Sequence, residues 1–93
     1  MSRLLQPEEI TRQLAELPDW TQDDDRIVAD FTFADFGAAM VFVNRVAEMA
    51  EENDHHPDID IRWNRVRLVL TSHDSGGLTQ RDIELAHRIS AGE

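Results

Sequence analysis

Residues 58–70 read DIDIRWNRVRLVL. Apolar side chains fall at every second position, with Ile59, Ile61 and Trp63 before an Asn64-Arg65 turn and Val66, Leu68 and Leu70 after it. A period of two belongs to strands that bury one face, so the segment predicts a β-hairpin with an apolar side. A lone hairpin is marginal in water, so the layer that covers it must come from the flanking sequence.

Upstream, the period changes to that of a helix. Asp35 is placed to cap it, and Phe36, Ala39, Met40, Val43, Val46, Ala47 and Ala50 recur at three- and four-residue spacing. Pro57 bounds the helix, because the residue before proline is pushed out of helical geometry. Before it, Trp20–Gln22, a turn over Asp23–Asp25 and Arg26–Phe33 form a second hairpin, in which Ile27, Ala29, Phe31 and Phe33 alternate with Val28, Asp30 and Thr32. At the start, Pro7 with Glu8 and Glu9 suits a first helical turn, and Ile10, Leu14 and Leu17 make one stripe before Pro18.

Downstream, a Ser75-Gly76-Gly77 loop leads to Thr79, with Asp82 three residues on in the place a capping box gives to Glu. Ile83, Ala86 and Ile89 supply the apolar face of the helix that follows. The order α-β-β-α-β-β-α predicts an α+β fold of two layers, a four-stranded antiparallel sheet with three helices packed on one face. No repeat or linker interrupts it, so residues 1–93 read as a single domain.

Composition narrows the function. The chain has 93 residues, 9 Lys and Arg against 19 Asp and Glu, a formal charge of −10, four histidines and no cysteine. A chain of this size buries about 65 % of its unfolded surface, enough for one modest core. The acidic excess disfavours nucleic acid, whose binding depends on cations displacing counterions from phosphates. No apolar run approaches the roughly 20 residues of a membrane span, and Gln6-Pro7-Glu8-Glu9 stands where a signal peptide needs apolar residues. A cytoplasmic location with no membrane contact is the expectation. Without cysteine there is no disulfide, thiolate zinc site or thiol nucleophile.

The remaining chemistry rests on histidine. His55 and His56 close the long helix and His73 follows a strand, the kind of element ends that converge on clefts. Glu51 precedes His55 by four residues and Glu52 precedes His56 by four, so each acid is expected beside its own histidine. Taken alone, the adjacent pair also fits an ordinary role at a helix end. Metal ligation by His55, His56, His73 and Glu51 is disfavoured, since adjacent histidines point apart and no zinc spacing is present. His87, at the border of the last helix's apolar face, reads as an ordinary exposed or half-buried residue, and Trp20 and Trp63 read as core or interface aromatics, with Trp63 sharing the alternation of Ile59 and Ile61. Gly76-Gly77 lacks any phosphate-binding fingerprint around it.

Asp54-His55-His56-Pro57, then Thr71-Ser72-His73, then Gly77-Leu78 and Arg81-Asp82-Ile83 closely resemble the pterin-4a-carbinolamine dehydratase family. The resemblance extends through Phe33, Asp35, Phe36, Ala39, Phe42, Arg45, Val46 and Ala47 upstream and Leu85, Ala86 and Ile89 downstream, about two-thirds of the chain. It departs at Ile59, where the family often has tryptophan, and at Trp63, where tyrosine is common. The resemblance implies loss of water from 4a-hydroxytetrahydropterin to give quinonoid dihydropterin, downstream of an aromatic amino-acid hydroxylase. It assigns acid–base work to His55, His56 and His73. Glu51 and Asp54 would orient them or the pterin, and Pro57, Ser72, Asp74 and Ser75 would line the pocket. Asp82 also matches a family position, although capping explains it on its own. No metal or cofactor is implied, and a homodimer or homotetramer is. The alternative is a non-enzymatic dimerising partner or assembly factor on the same fold.

Overall fold

The computed structural model describes residues 3–92. Its elements are α1 (Pro7–Leu14), β1 (Trp20–Asp23), β2 (Arg26–Thr32), α2 (Phe36–Asn53), β3 (Asp58–Arg62), β4 (Arg65–Leu70) and α3 (Gln80–Gly92). The sequence order is the expected one. The spatial order is β1-β2-β4-β3, antiparallel throughout.

The two most apolar strands are therefore neighbours. Ile27 pairs with Leu70, Ala29 with Leu68 and Phe31 with Val66, and all six are buried. Period-two alternation puts these side chains on one face, and the helices cover that face. Val46, Met49 and Ala50 from α2 and Ile83, Leu85, Ala86 and Ile89 from α3 complete the core. Phe42 sits with its ring centroid 4.8 Å from Phe31 and 5.0 Å from Phe33, pinning α2 across the first hairpin. Trp20 is buried as expected of a core aromatic, and its indole N–H donates to Ser90 Oγ at 3.1 Å.

The helix boundaries have local causes. Asp35 Oδ1 accepts from the Ala38 N–H at 2.8 Å and starts α2. Pro7 occupies the first turn of α1, and Glu9 Oε1 accepts from the Gln6 N–H at 2.8 Å. The Thr79 N–H donates to Asp82 Oδ2 at 2.9 Å, so the aspartate version of the capping box forms at α3.

Three expectations are corrected. α1 stops at Leu14, and Leu17 reaches the core from the turn beyond it, since Pro18 restricts the residue before it. The buried stripe of α2 runs through Ala39, Phe42, Val43, Val46, Met49 and Ala50, which leaves Phe36 half exposed and Ala47 outside. The second hairpin turns at Trp63-Asn64, because Arg62 pairs with Arg65. Trp63 thus leaves the strand, takes a left-handed φ of 51° and is 66 % exposed, where alternation had placed it beside Ile59 and Ile61.

Candidate functional site

The site begins where α2 ends. Asp54 adopts the left-handed conformation (φ 49°, ψ 43°), its N–H donates to Glu51 O at 3.3 Å, and the His55 N–H donates to Ala50 O at 3.1 Å. These are the two bonds of a Schellman closure, with Asp at the position where glycine is commonest. The closure reverses the chain, so neighbouring histidines part company. His55 is buried and His56 is exposed.

His55 meets Asp82. Its Nε2 lies 2.5 Å from Asp82 Oδ1, and Asp82 is fully buried. An imidazole nitrogen facing a carboxylate carries a proton, so Nε2 is the protonated nitrogen. Asp82 Oδ2 accepts from Ser72 Oγ at 2.8 Å and from the Thr79 N–H at 2.9 Å. With the Ser72 proton committed to Asp82, the Thr79 hydroxyl donates to Ser72 Oγ at 2.8 Å and accepts from the Arg81 N–H at 3.3 Å. Each buried polar atom named here has a partner, which is the condition for such a network to be stable.

One carboxylate thus ties together two segments distant in sequence. His55 and Ser72 are the buried anchors, and the exposed His56 and His73 follow them directly in the chain. Pairing of Asp58 with Val69 already brings the start of β3 and the end of β4 to the same end of the sheet. The loop after His73 is drawn tight by Ser75 and Gly76 N–H groups donating to Ser72 O at 3.0 and 2.9 Å, with Gly76 at φ 81°.

One acid reaches an exposed histidine. Glu51 Oε2 lies 2.5 Å from His56 Nε2. Glu51 was expected beside His55, but i,i+4 geometry holds only inside a helix, and the left-handed Asp54 re-aims both histidines. Glu52, expected beside His56, lies 3.6 Å from Arg88 instead. Asp74 Oδ1 accepts from an Arg81 guanidinium nitrogen at 2.6 Å, and this bond holds the Asp74 carboxyl below the usual carboxylate range. The Arg81 Nε is buried with no hydrogen-bond partner among the described residues. Asp54 is exposed, Pro57 is half-buried, and an open hollow of about 660 Å³ along α2 is lined by Asn44, Ala47, Glu48, Glu51 and Glu52. His87 is exposed on α3, apart from this arrangement. Among the described residues no group of three or more His, Asp or Glu is arranged to hold a metal ion.

The residue that sequence reasoning undervalued is Asp82. Its signal was a shorter acid where a capping box usually carries Glu. Capping accounts for one oxygen, whereas the other holds His55.

A family model described as pterin 4 alpha carbinolamine dehydratase matches residues 3–91.

The chain belongs to that family.

A relative from Thermosynechococcus vestitus, carried under a provisional pterin-4-alpha-carbinolamine dehydratase name, is 52 % identical over 90 residues, 97 % of this chain and 95 % of its own. One from Chloroflexus aurantiacus with the same name is 57 % identical over 81 residues, 87 % of each chain. Among solved structures, a transcriptional coactivator/pterin dehydratase from Brucella melitensis superposes with a TM-score of 0.91 at 34 % identity, covering 96 % of this chain and 97 % of that one. A pterin dehydratase-like protein identified as a RuBisCO assembly factor in the alpha-carboxysome shares the fold at TM-score 0.63 and 20 % identity, over 77 % of this chain and 83 % of that one. Family membership supports pterin carbinolamine dehydratase function in general terms. No helix among the described residues is long and apolar enough to cross a membrane.

Proposed function

We propose that this protein removes water from 4a-hydroxytetrahydropterin by histidine acid–base catalysis. In the reaction the C4a–O bond breaks, N5 loses its proton, a double bond forms between N5 and C4a, and water departs. Hydroxide leaves poorly unless it is protonated, and the new double bond needs a base at N5, so one acid and one base of near-neutral pKa lower both barriers. Histidine is the side chain suited to either part at neutral pH.

The observation that carries the reading is the division of labour around Asp82. His55 is committed to the interior, while His56 and His73 stand exposed next to the two anchors of one buried carboxylate. His56 and His73 are the proton-transfer pair, with Glu51 orienting His56. Asp54, Pro57, Asp74 and Ser75 border the pterin, with Ser72 buried beneath them as an anchor, and Asp74, its carboxyl held low by Arg81, accepts from ligand N–H groups. His55 acts through position, as the strut that fixes the tandem. No cofactor enters this scheme, and the protein would act in the cytoplasm, recycling pterin for an aromatic amino-acid hydroxylase.

The alternative is a non-enzymatic dimerising partner or assembly factor. The fold shared with a RuBisCO assembly factor makes that role available to the architecture, and retention of all three motif histidines favours catalysis. Stopped-flow decay of the 4a-carbinolamine separates the two. Acceleration proportional to enzyme concentration is expected, and decay at the buffer rate removes the dehydratase reading.

A further inference from the structure

The sheet has a second face, turned away from the helices, and the motif makes no use of it. There Arg62 on β3 stands directly across from Arg65 on β4, with Thr32 of β2 across from Arg65 on the other side. Like charges opposite one another in a ladder repel. Arg67 is neutralised by Asp30 through two bonds of 2.8 and 3.2 Å, whereas Arg62 engages Asp60 through Nε alone, at 3.2 Å, which leaves its terminal nitrogens without a bond among the described residues. Arg65 has no ion-pair partner among the described residues. In a chain with 19 acids and 9 basic residues, an unmatched arginine facing another is a conspicuous placement. These side chains border a depression of about 270 Å³.

We propose that Arg62 and Arg65 form a binding site for a phosphate group, separate from the histidine site. A carboxylate is satisfied by a single guanidinium, as Asp30 is by Arg67. Two guanidiniums on adjacent strands offer donors from two directions, which suits a tetrahedral oxyanion. The ligand is compact, because Asp30 and Asp60 line the same depression and repel an extended polyanion. The site lies at the hairpin end of β3 and β4, and His56 and His73 flank their other end.

Amide chemical-shift titration of the whole chain tests this without relying on dehydratase activity. Inorganic phosphate and ribose 5-phosphate should each give saturable shifts centred on Thr32, Arg62 and Arg65. Tighter binding of the ester identifies a phosphorylated metabolite as the ligand, and equal or weaker binding identifies free phosphate. Arg65→Gln should weaken both by about tenfold, the cost of one charge-assisted hydrogen bond, while Arg12→Gln leaves them unchanged. Dehydratase activity should be the same in Arg65→Gln as in the parent protein. Absence of saturable shifts, shifts scattered over the surface, acetate binding as tightly as phosphate, or unchanged affinity in a folded Arg65→Gln protein would each overturn the proposal.

Discussion

His55 and Asp82 are joined in the interior, imidazole Nε2 to carboxylate Oδ1 at 2.5 Å, while the other oxygen of the same carboxylate receives Ser72 and the Thr79 N–H. Removing the carboxylate leaves all three donors buried without an acceptor. Breaking a buried pair costs about 3–5 kcal/mol, a large part of the roughly 5–15 kcal/mol that holds a domain together. Asp82→Ala is therefore expected to lose about that much in urea unfolding. Loss below about 1 kcal/mol would show the network to be dispensable.

His56 and His73 are exposed, so replacing either with alanine should leave the unfolding midpoint almost unchanged and lower the dehydration rate by roughly 10²-fold or more. His55→Ala should act in the opposite balance, with a clear loss of stability. Circular dichroism melts beside stopped-flow rates separate the two behaviours. Full turnover in a folded His56→Ala or His73→Ala protein contradicts the assignment.

Arg81 holds the Asp74 carboxyl below the usual range through its hydrogen bond. A carboxyl lowered by folding contributes stability above its unfolded pKa, and that contribution disappears as pH falls through the folded value. In Arg81→Gln, Asp74 should titrate in the ordinary carboxylate range by carbon-13 NMR. The stability gap between the two proteins should narrow as the solution is acidified. An Asp74 titration unmoved by the substitution counts against the arginine as its cause.

Chelation offers a further check on the acid–base scheme. Exhaustive treatment with EDTA should leave the dehydration rate unchanged, because the proposed scheme moves protons by histidine alone. Activity lost on chelation and restored by one equivalent of a divalent ion would transfer the chemistry to a metal site.

The sheet ends in two unpaired edges, β1 and β3. Such edges present open N–H and C=O groups, and pairing with a twin in a two-fold contact satisfies them. Val41, 62 % exposed on α2, gives a second apolar contact for joining two dimers. Sedimentation at micromolar concentration should show a dimer or tetramer, and a monomer with full activity would refute this.

Much of this architecture was legible because each element carries its own period. Ile27, Ala29 and Phe31, or Val66, Leu68 and Leu70, need no partner to announce a half-buried strand. Alternation alone does not say where a hairpin reverses, which is why Trp63 was read as a strand residue. Spacing along a helix also misleads beyond its end, where the left-handed Asp54 exchanges the partners expected for Glu51. From sequence Asp82 reads only as a cap, because the cap is local and its bond to His55 is tertiary, visible only once α3 lies over the end of the sheet.

The span of that bond also bears on folding. His55 and Asp82 are 27 positions apart, and Ser72 is 10 from Asp82, so the finished contact needs both the second hairpin and the last helix in place. Long-range contacts of this kind are made at an entropic cost that local ones avoid. A chain emerging from the ribosome would hold the histidine tandem well before it held the acid that fixes it. Fraying of the first turn of α3 would disarm the completed protein while most of the sheet stayed intact, making catalytic competence a stricter gauge of the native state than secondary structure.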